Sequence, residues 1–261
     1  MTVQAVVLVL SSTLVGCAGT EVHVGTADAA RPTATGTPGP SAAVTGTTQA
    51  RPGRTPAGSE ASATSVLERL PGLGPRTRGG IPANARQVVL VTGRGKNSSE
   101  ANVVLYRRTG AGWEAGAVWP AHNALKGWTD DHRLGDLRSP IGVFTLTDAG
   151  GLLADPGSQL PYDRSRSFTI GGTGFEGEPL AGSFDYVVAI NYNRKPGTSP
   201  LDWTRPLGAD KGGGVWLHVD HGGPTHGCVS VAQKHMKHLL RTLDPDQHPV
   251  IVMGDAASLE R

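Results

Sequence analysis

The sequence predicts a mostly β domain, a β-sandwich or rolled sheet with one helix packed on it, carried behind a long lead that does not fold. Three observations predict this. Beyond Ile81, short β-type runs recur between Gly, Pro, Asn and Asp turns. Only one stretch has clear helical periodicity. The large aromatic side chains are confined to the later part of the chain. No Phe, Trp or Tyr precedes Tyr106, and all five Trp residues (Trp113, Trp119, Trp128, Trp203 and Trp216) follow it, so aromatic burial can offset conformational entropy only there. The expected division is a leader at 1–17, a tether at 18–80, a folded domain at 81–255 and a tail at 256–261.

From the N-terminus, Val3 to Leu10 form an apolar run too short to span a bilayer, followed by Ser11-Ser12-Thr13, as in the core of an export signal. Leu14-Val15-Gly16-Cys17 resembles a bacterial lipobox, whose Cys thiol is diacylated and becomes the mature N-terminus. That resemblance implies a membrane anchor on Cys17 and a place on the outer face of the cytoplasmic membrane, towards the cell wall. Met1 to Val7 carries no Lys or Arg, unlike most export signals, so simple cleavage and a buried cytoplasmic N-terminus stay open as alternatives.

From Ala18 to about Thr64 the chain is Thr, Ala, Gly, Pro and Ser without hydrophobic periodicity, the composition of a disordered tether. A flexible coil of about 45 residues has an r.m.s. span of roughly 35–40 Å. Ser65-Val66-Leu67-Glu68 has capping-box spacing, so 65–70 reads either as a short helix stopped by Pro71 or as a fluctuating turn.

Within the domain, β-type runs are Gln87 to Thr92, Asn102 to Arg107, Gly142 to Thr147, Asp185 to Tyr192, Val215 to Val219 and Pro249 to Met253. Between Val231 and Leu243, residues Met236, Leu239, Leu240 and Leu243 form an apolar stripe of helical period, ended by Pro245. The formal net charge is +2 and the basic residues are scattered, which excludes the continuous basic stripe that nucleic-acid binding needs.

The chemistry concentrates in Gly214-Val215-Trp216-Leu217-His218-Val219-Asp220-His221-Gly222-Gly223-Pro224-Thr225-His226-Gly227-Cys228-Val229-Ser230. Cys17 is the only possible disulfide partner for Cys228, so lipidation of Cys17 would leave Cys228 a thiol. A thiol near pKa 8.5 is only a few per cent ionised at neutral pH, and the thiolate is the nucleophile, so activation needs a base. With Val215, Leu217 and Val219 facing the core, His218 projects from the other face beside Trp216 and Asp220. The Gly222-Gly223-Pro224 turn can return Cys228 to that face, and a helix starting just after Cys228 would favour a thiolate through its dipole.

Thr225-His226-Gly227-Cys228-Val229 resembles the Ser/Thr-His-Gly-Cys-hydrophobic signature of the L,D-transpeptidase (YkuD-type) catalytic domain, and Trp216-Leu217-His218 resembles its upstream hydrophobic-His element. Gly135, then Ser139-Pro140-Ile141-Gly142-Val143-Phe144, resembles the Thr-Pro-x-Gly-x-Phe motif that opens a family strand, and Tyr192-Asn193 resembles a Tyr-Asn pair ahead of the active site. The resemblance covers about 86–254. It implies that Cys228 attacks the diaminoacyl carbonyl of a peptidoglycan tetrapeptide stem and expels the terminal D-Ala, and that an amine then resolves the thioester. It also implies His218 as base, oriented by a backbone carbonyl, and an oxyanion site near Gly227 and Cys228. No metal or organic cofactor is implied.

Two features depart from the family pattern. Cys228 lies ten positions after His218, a shorter separation than in many members, which implies a reduced lid. Ser230 stands where Arg or Asn is common. Water could therefore replace the amine acceptor. Among the remaining candidates, His221 faces away from His218 if the strand continues that far. His226 reads as a structural or oxyanion-loop residue, Trp216 as a pocket wall or a packing aromatic, and His235, His238 and His248 as helix-surface or turn residues. Two readings from other classes stay open: a zinc site built from His218, His221, His226 and Cys228, and a catalytically silent wall-binding lipoprotein.

Overall fold

The computed structural model describes residues 66–261, so the leader, Cys17 and the tether up to residue 65 lie outside the described residues. The elements are β1 (Val66–Leu67), α1 (Pro75–Gly79), β2 (Gln87–Gly93), β3 (Glu100–Arg108), β4 (Trp113–His122), β5 (Trp128–Thr129) and β6 (Ser139–Pro140). They continue with β7 (Gly142–Gly151), β8 (Tyr162–Arg164), β9 (Val187–Ile190), β10 (Trp216–Val219), β11 (Val229–Val231), α2 (Gln233–Thr242), β12 (Val250–Asp255) and α3 (Ala256–Leu259).

Ten strands form one sheet in the order β1-β4-β11-β10-β9-β7-β12-β2-β3, with β8 beside β7. Because β4 also pairs with β3, the path returns to β4 and the sheet rolls into a closed ring. This is the rolled-sheet alternative of the expected β fold. Closure removes most of the exposed edge that an open sheet must protect.

The alternating strand pattern divides the apolar residues between two faces. Inward positions such as Val89, Val103, Val188, Leu217, Val229 and Ile251 form one core with Met236, Leu239 and Leu240 of α2. Full burial of each such side chain contributes on the order of 1.5–3 kcal/mol. On the outside, two apolar patches need separate covers. One, around Val88, Leu90, Val250 and Val252, is covered by Leu70, Leu73 and Leu259. The other joins Val187, Ala189, Trp216 and Cys228 to Phe168 and Phe184.

The six expected strands are all present, and the structure corrects the sequence reading in three places. The 65–70 segment forms no helix. Val66 and Leu67 extend and pair with Glu114 and Trp113, since one isolated turn is too short to sustain a helix and β4 offers an open edge. Residues 66–80 and 256–261, assigned to tether and tail, belong to the fold: Gly74 N–H donates to the Leu259 carbonyl at 2.8 Å, and Leu259 is buried. Strand β4 was not foreseen because Gly116 and Pro120 interrupt its β signal. Pro120 is tolerated in the part of β4 between its pairings with β1 and β11, where one edge is open.

Truncating Leu259 to Ala should therefore cost about 2–5 kcal/mol, as for any buried Leu. Urea unfolding followed by tryptophan fluorescence measures this; a loss below about 0.5 kcal/mol would make the last six residues the appendage the sequence suggested.

Candidate active site

β10 and β11 run parallel, with Leu217 opposite Val229 and His218 opposite Ser230. Cys228, immediately before β11, therefore falls beside Trp216 and shares the outward face with His218. Diagonal neighbours on such a pair lie roughly 7 Å apart, within reach of two side chains. The strand register and the turn through Gly222 thus put Cys228 and His218 on one face of the sheet.

Cys228 is a thiol with 0% exposure. Its sulfur accepts the Trp216 main-chain N–H at 3.4 Å and faces the Gly214 carbonyl oxygen at 3.7 Å. The Cys228 carbonyl is held from the other side by the Thr225 hydroxyl at 2.7 Å and the Ser139 hydroxyl at 3.3 Å. Thr225 is itself anchored, its N–H donating to the Asn123 carbonyl and its carbonyl accepting Leu125 N–H. Gly227 is buried, and a Cβ there would sit 3.6 Å from the His132 ring.

His218 is 2% exposed, and burial pushes its pKa down to about 4, against the hydrogen bond that it makes to Val219. Its Nδ1–H donates to the Val219 carbonyl at 2.9 Å, which leaves Nε2 with the lone pair. The ring is neutral at pH 7 and able to take a proton.

His221 does not face away. β10 ends at Val219 and the chain bends, so the His221 ring stacks on His218 with centroids 5.8 Å apart and an interplanar angle of 10°. His221 Nδ1 meets Glu178 Oε1 at 3.2 Å. His226 turns to the ring of Phe175, centroids 4.6 Å apart, and burial lowers its pKa. Trp216 packs its indole against Phe184 and Phe168 beneath the site.

Two other expectations change. Helix α2 does not begin at Cys228: β11 intervenes, and α2 packs on the inward face while the sulfur lies on the outward one. The dipole is therefore not aimed at the thiol, whose polar surroundings include the main-chain groups of Gly214 and Trp216. Nor is the site thinly covered. The short His-to-Cys loop supplies little cover, but residues 168–184 lie over the site. Ile170, Phe175, Leu180 and Phe184 line a cavity of about 20 Å³ together with His218 and His221, room for about one water-sized molecule.

Tyr192 and Asn193 support the loop that leads to β10. The Tyr192 hydroxyl donates to the Lys211 carbonyl at 2.9 Å, and Asn193 Nδ2 donates to the Gly208 and Gly212 carbonyls. Ser230 donates to Asp220 Oδ1 at 2.6 Å, and His122 Nδ1 lies 2.8 Å from the same oxygen. The hydrogen bond to Asp220 raises the His122 pKa; burial opposes ionisation of Asp220, but the bonds from His122 and Ser230 prevail and hold it below the usual carboxylate range. His235 and His238 of α2 lie against Trp119 of β4, and His248 closes a turn, as expected. Among the described residues no three His, Cys, Asp or Glu side chains converge as metal ligands, because His221 and His226 turn to Glu178 and Phe175.

Sequence reasoning missed Glu178, Phe184 and the carbonyl-holding role of Ser139. Ser139 lay inside a quoted motif; Glu178, between Gly177 and Pro179, carried no signal.

The family model of the L,D-transpeptidase catalytic domain (YkuD) matches residues 86–252, which contain Ser139, Tyr192, His218 and Cys228. No curated protein matches the chain. Among solved structures, that of Bdellovibrio bacteriovorus Bd1075 is similar, with 16% identity and a TM-score of 0.35, over 71% of this chain and 53% of that one. This chain thus spans about half the length of that protein. With the family's Thr-His-Gly-Cys segment lying beside a buried histidine on a rolled β-sheet, and the family model matching well over half its length, the chain belongs to the L,D-transpeptidase catalytic-domain family.

Proposed function

We propose that this protein is a peptidoglycan L,D-transpeptidase that forms a thioester between Cys228 and a tetrapeptide stem and passes the acyl group to an amine. The observation that carries this reading is the shared outward face of Cys228 and His218, with His218 neutral and its Nδ1–H fixed on Val219. Family members are cysteine-dependent enzymes acting on peptidoglycan stem peptides.

In the first half-reaction the Cys228 thiol gives its proton to His218 Nε2 and the sulfur bonds to the carbonyl carbon of the third stem residue. The tetrahedral oxyanion then collapses, the C–N bond to the terminal D-Ala breaks, and the imidazolium returns the proton to the departing amine. In the second half, His218 takes a proton from the acceptor amine as it attacks the thioester, and the thiol is released. Trp216 N–H, which donates to the sulfur, stabilises negative charge on it. We also assign the protein to the outer face of the cytoplasmic membrane, anchored through Cys17, where stem peptides are within reach.

The alternative acceptor is water, which would make the enzyme an L,D-carboxypeptidase. Incubation with a tetrapeptide stem and an amine-bearing acceptor separates the two, since transfer yields a cross-linked peptide and hydrolysis a free tripeptide.

Incubating the protein with a carbapenem and measuring intact mass should show one adduct, located on Cys228 and absent from Cys228→Ala. An adduct that persists in that variant would remove the nucleophile assignment. His218→Ala should slow acylation by roughly 10²–10⁴-fold, the scale for loss of a general base; a near-normal rate would transfer the role to His221.

Acid stability provides an independent check. The folded-state pKa of His218 is about 4, below the ordinary 6.5, so the unfolded chain takes up this proton first. The stability concerned is complete above about pH 6.5 and is lost as the pH falls towards 4. Between pH 7 and 4.5, His218→Gln should lose less unfolding free energy than the wild type by on the order of 2 kcal/mol. Equal losses in urea titrations would mean that the ring is not buried as described.

A further inference from the structure

Cys228 and His218 are sealed, at 0% and 2% exposure, so neither a stem peptide nor a carbapenem reaches the sulfur in this conformation. Phe168, Ile170 and Phe184 of the outer cover pack in one cluster with Cys228, and between Ile170 and Phe184 residues 172–180 form a small hairpin whose Gly174, Phe175 and Leu180 line the cavity at His218 and His221. Gly174 N–H donates to the Glu178 carbonyl at 2.8 Å, Leu180 N–H donates to the Gly172 carbonyl at 3.1 Å, and Thr173 bridges Pro179. Gly172 and Gly182, at φ of 83° and 87°, flank the hairpin in a backbone conformation that glycine adopts without strain. Within it the half-exposed Phe175 rests against His226, and just beyond it Phe184 lies edge-on to His218 at 5.4 Å.

One polar contact crosses from this hairpin to the catalytic loop. The Glu178 carboxylate is 3.2 Å from His221 Nδ1, with both side chains largely buried. It fills the space over two glycines, one on each side of the seam: a Cβ on Gly174 or on Gly223 would collide with it. Glu178 thus occupies a slot shaped by the hairpin and by the turn after β10 together.

We infer that the Glu178–His221 pair is a latch that holds the 172–180 hairpin closed over Cys228, and that substrate enters when the latch parts and the hairpin swings away. This deepens the proposed function, because it takes Cys228 as the reacting atom. The hairpin has few apolar anchors, chiefly Phe175 and Leu180, so loss of one buried, charge-assisted hydrogen bond removes a large share of what holds it. The stacking of His221 on His218 places the latch directly above the base, so opening uncovers base and nucleophile together.

The test is the second-order rate of Cys228 alkylation by iodoacetamide in the full chain, read by peptide mass mapping so that Cys17 is counted separately. Glu178→Ala should react at least five-fold faster than the wild type, with faster amide exchange confined to residues 172–182, and Glu178→Gln should fall between. His221→Phe, which keeps a stacked ring but deletes Nδ1, should open the site as Glu178→Ala does and serves if that variant fails to fold. The pH profile of the rate separates a latch from an electrostatic effect on the thiol. A latch raises the plateau and leaves the apparent thiol pKa in place. A shifted pKa with an unchanged plateau, or rates within two-fold of wild type in both variants, would overturn the inference. Alkylation reports on the cover even if acyl transfer proves not to be the reaction, so the two readings fail separately.

Discussion

The parallel pairing of β10 with β11 is the constraint on which the site depends. It sets Trp216 beside Cys228 and His218 beside Ser230, and so decides which side chains share a face. A slip of one residue between these strands would move the thiol to the inward core, among Leu217 and Val229, away from the face that carries His218. The register is therefore held from several directions. Leu217, Val219, Val229 and Val231 bury their side chains inward, Thr225 and Ser139 hold the Cys228 carbonyl, and β4 secures the outer edge of β11 through His122 and Ala121.

The same burial that fixes the geometry sets the chemistry. Desolvation keeps His218 neutral, and the bond to Val219 chooses which ring nitrogen carries the lone pair. A base of such low intrinsic proton affinity takes the thiol proton only if the new charge pair is stabilised where it forms. The groups placed to do so are few: the Trp216 N–H on the sulfur, and the imidazole pair of His218 and His221 with Glu178 behind it. The site is an enclosed dipolar arrangement rather than a solvated one, and its electrostatics gain strength from the exclusion of water.

Much of this was legible in the residues. Period-two alternation in Trp216-Leu217-His218-Val219 told which face His218 takes, because a strand permits only two. The Thr225 to Val229 signature marked Cys228 as the candidate nucleophile. Elements without a local pattern were not legible. β4 is recruited by its neighbours in spite of Gly116 and Pro120, and the 66–80 and 256–261 segments gain order by packing on each other, on β4 and on the outward patch of β2 and β12. The position of His221 depended on where β10 stops, and nothing in Asp220-His221-Gly222 marks that point. Helix α2 was read correctly as an element but misplaced relative to Cys228, because three residues of strand between them are too short to show periodicity. Glu178 acquires its role wholly from tertiary contact.

Strand β4 also acts as a ruler. Its first residues pair with Val66 and Leu67, its last with Ser230 and Val231, two positions eight residues apart. At about 3.3 Å per residue this is on the order of 25 Å. Val66 and the Cys228 sulfur therefore lie towards opposite ends of β4. A surface coupling or fusion placed at residue 66 would leave the mouth of the enzyme unobstructed.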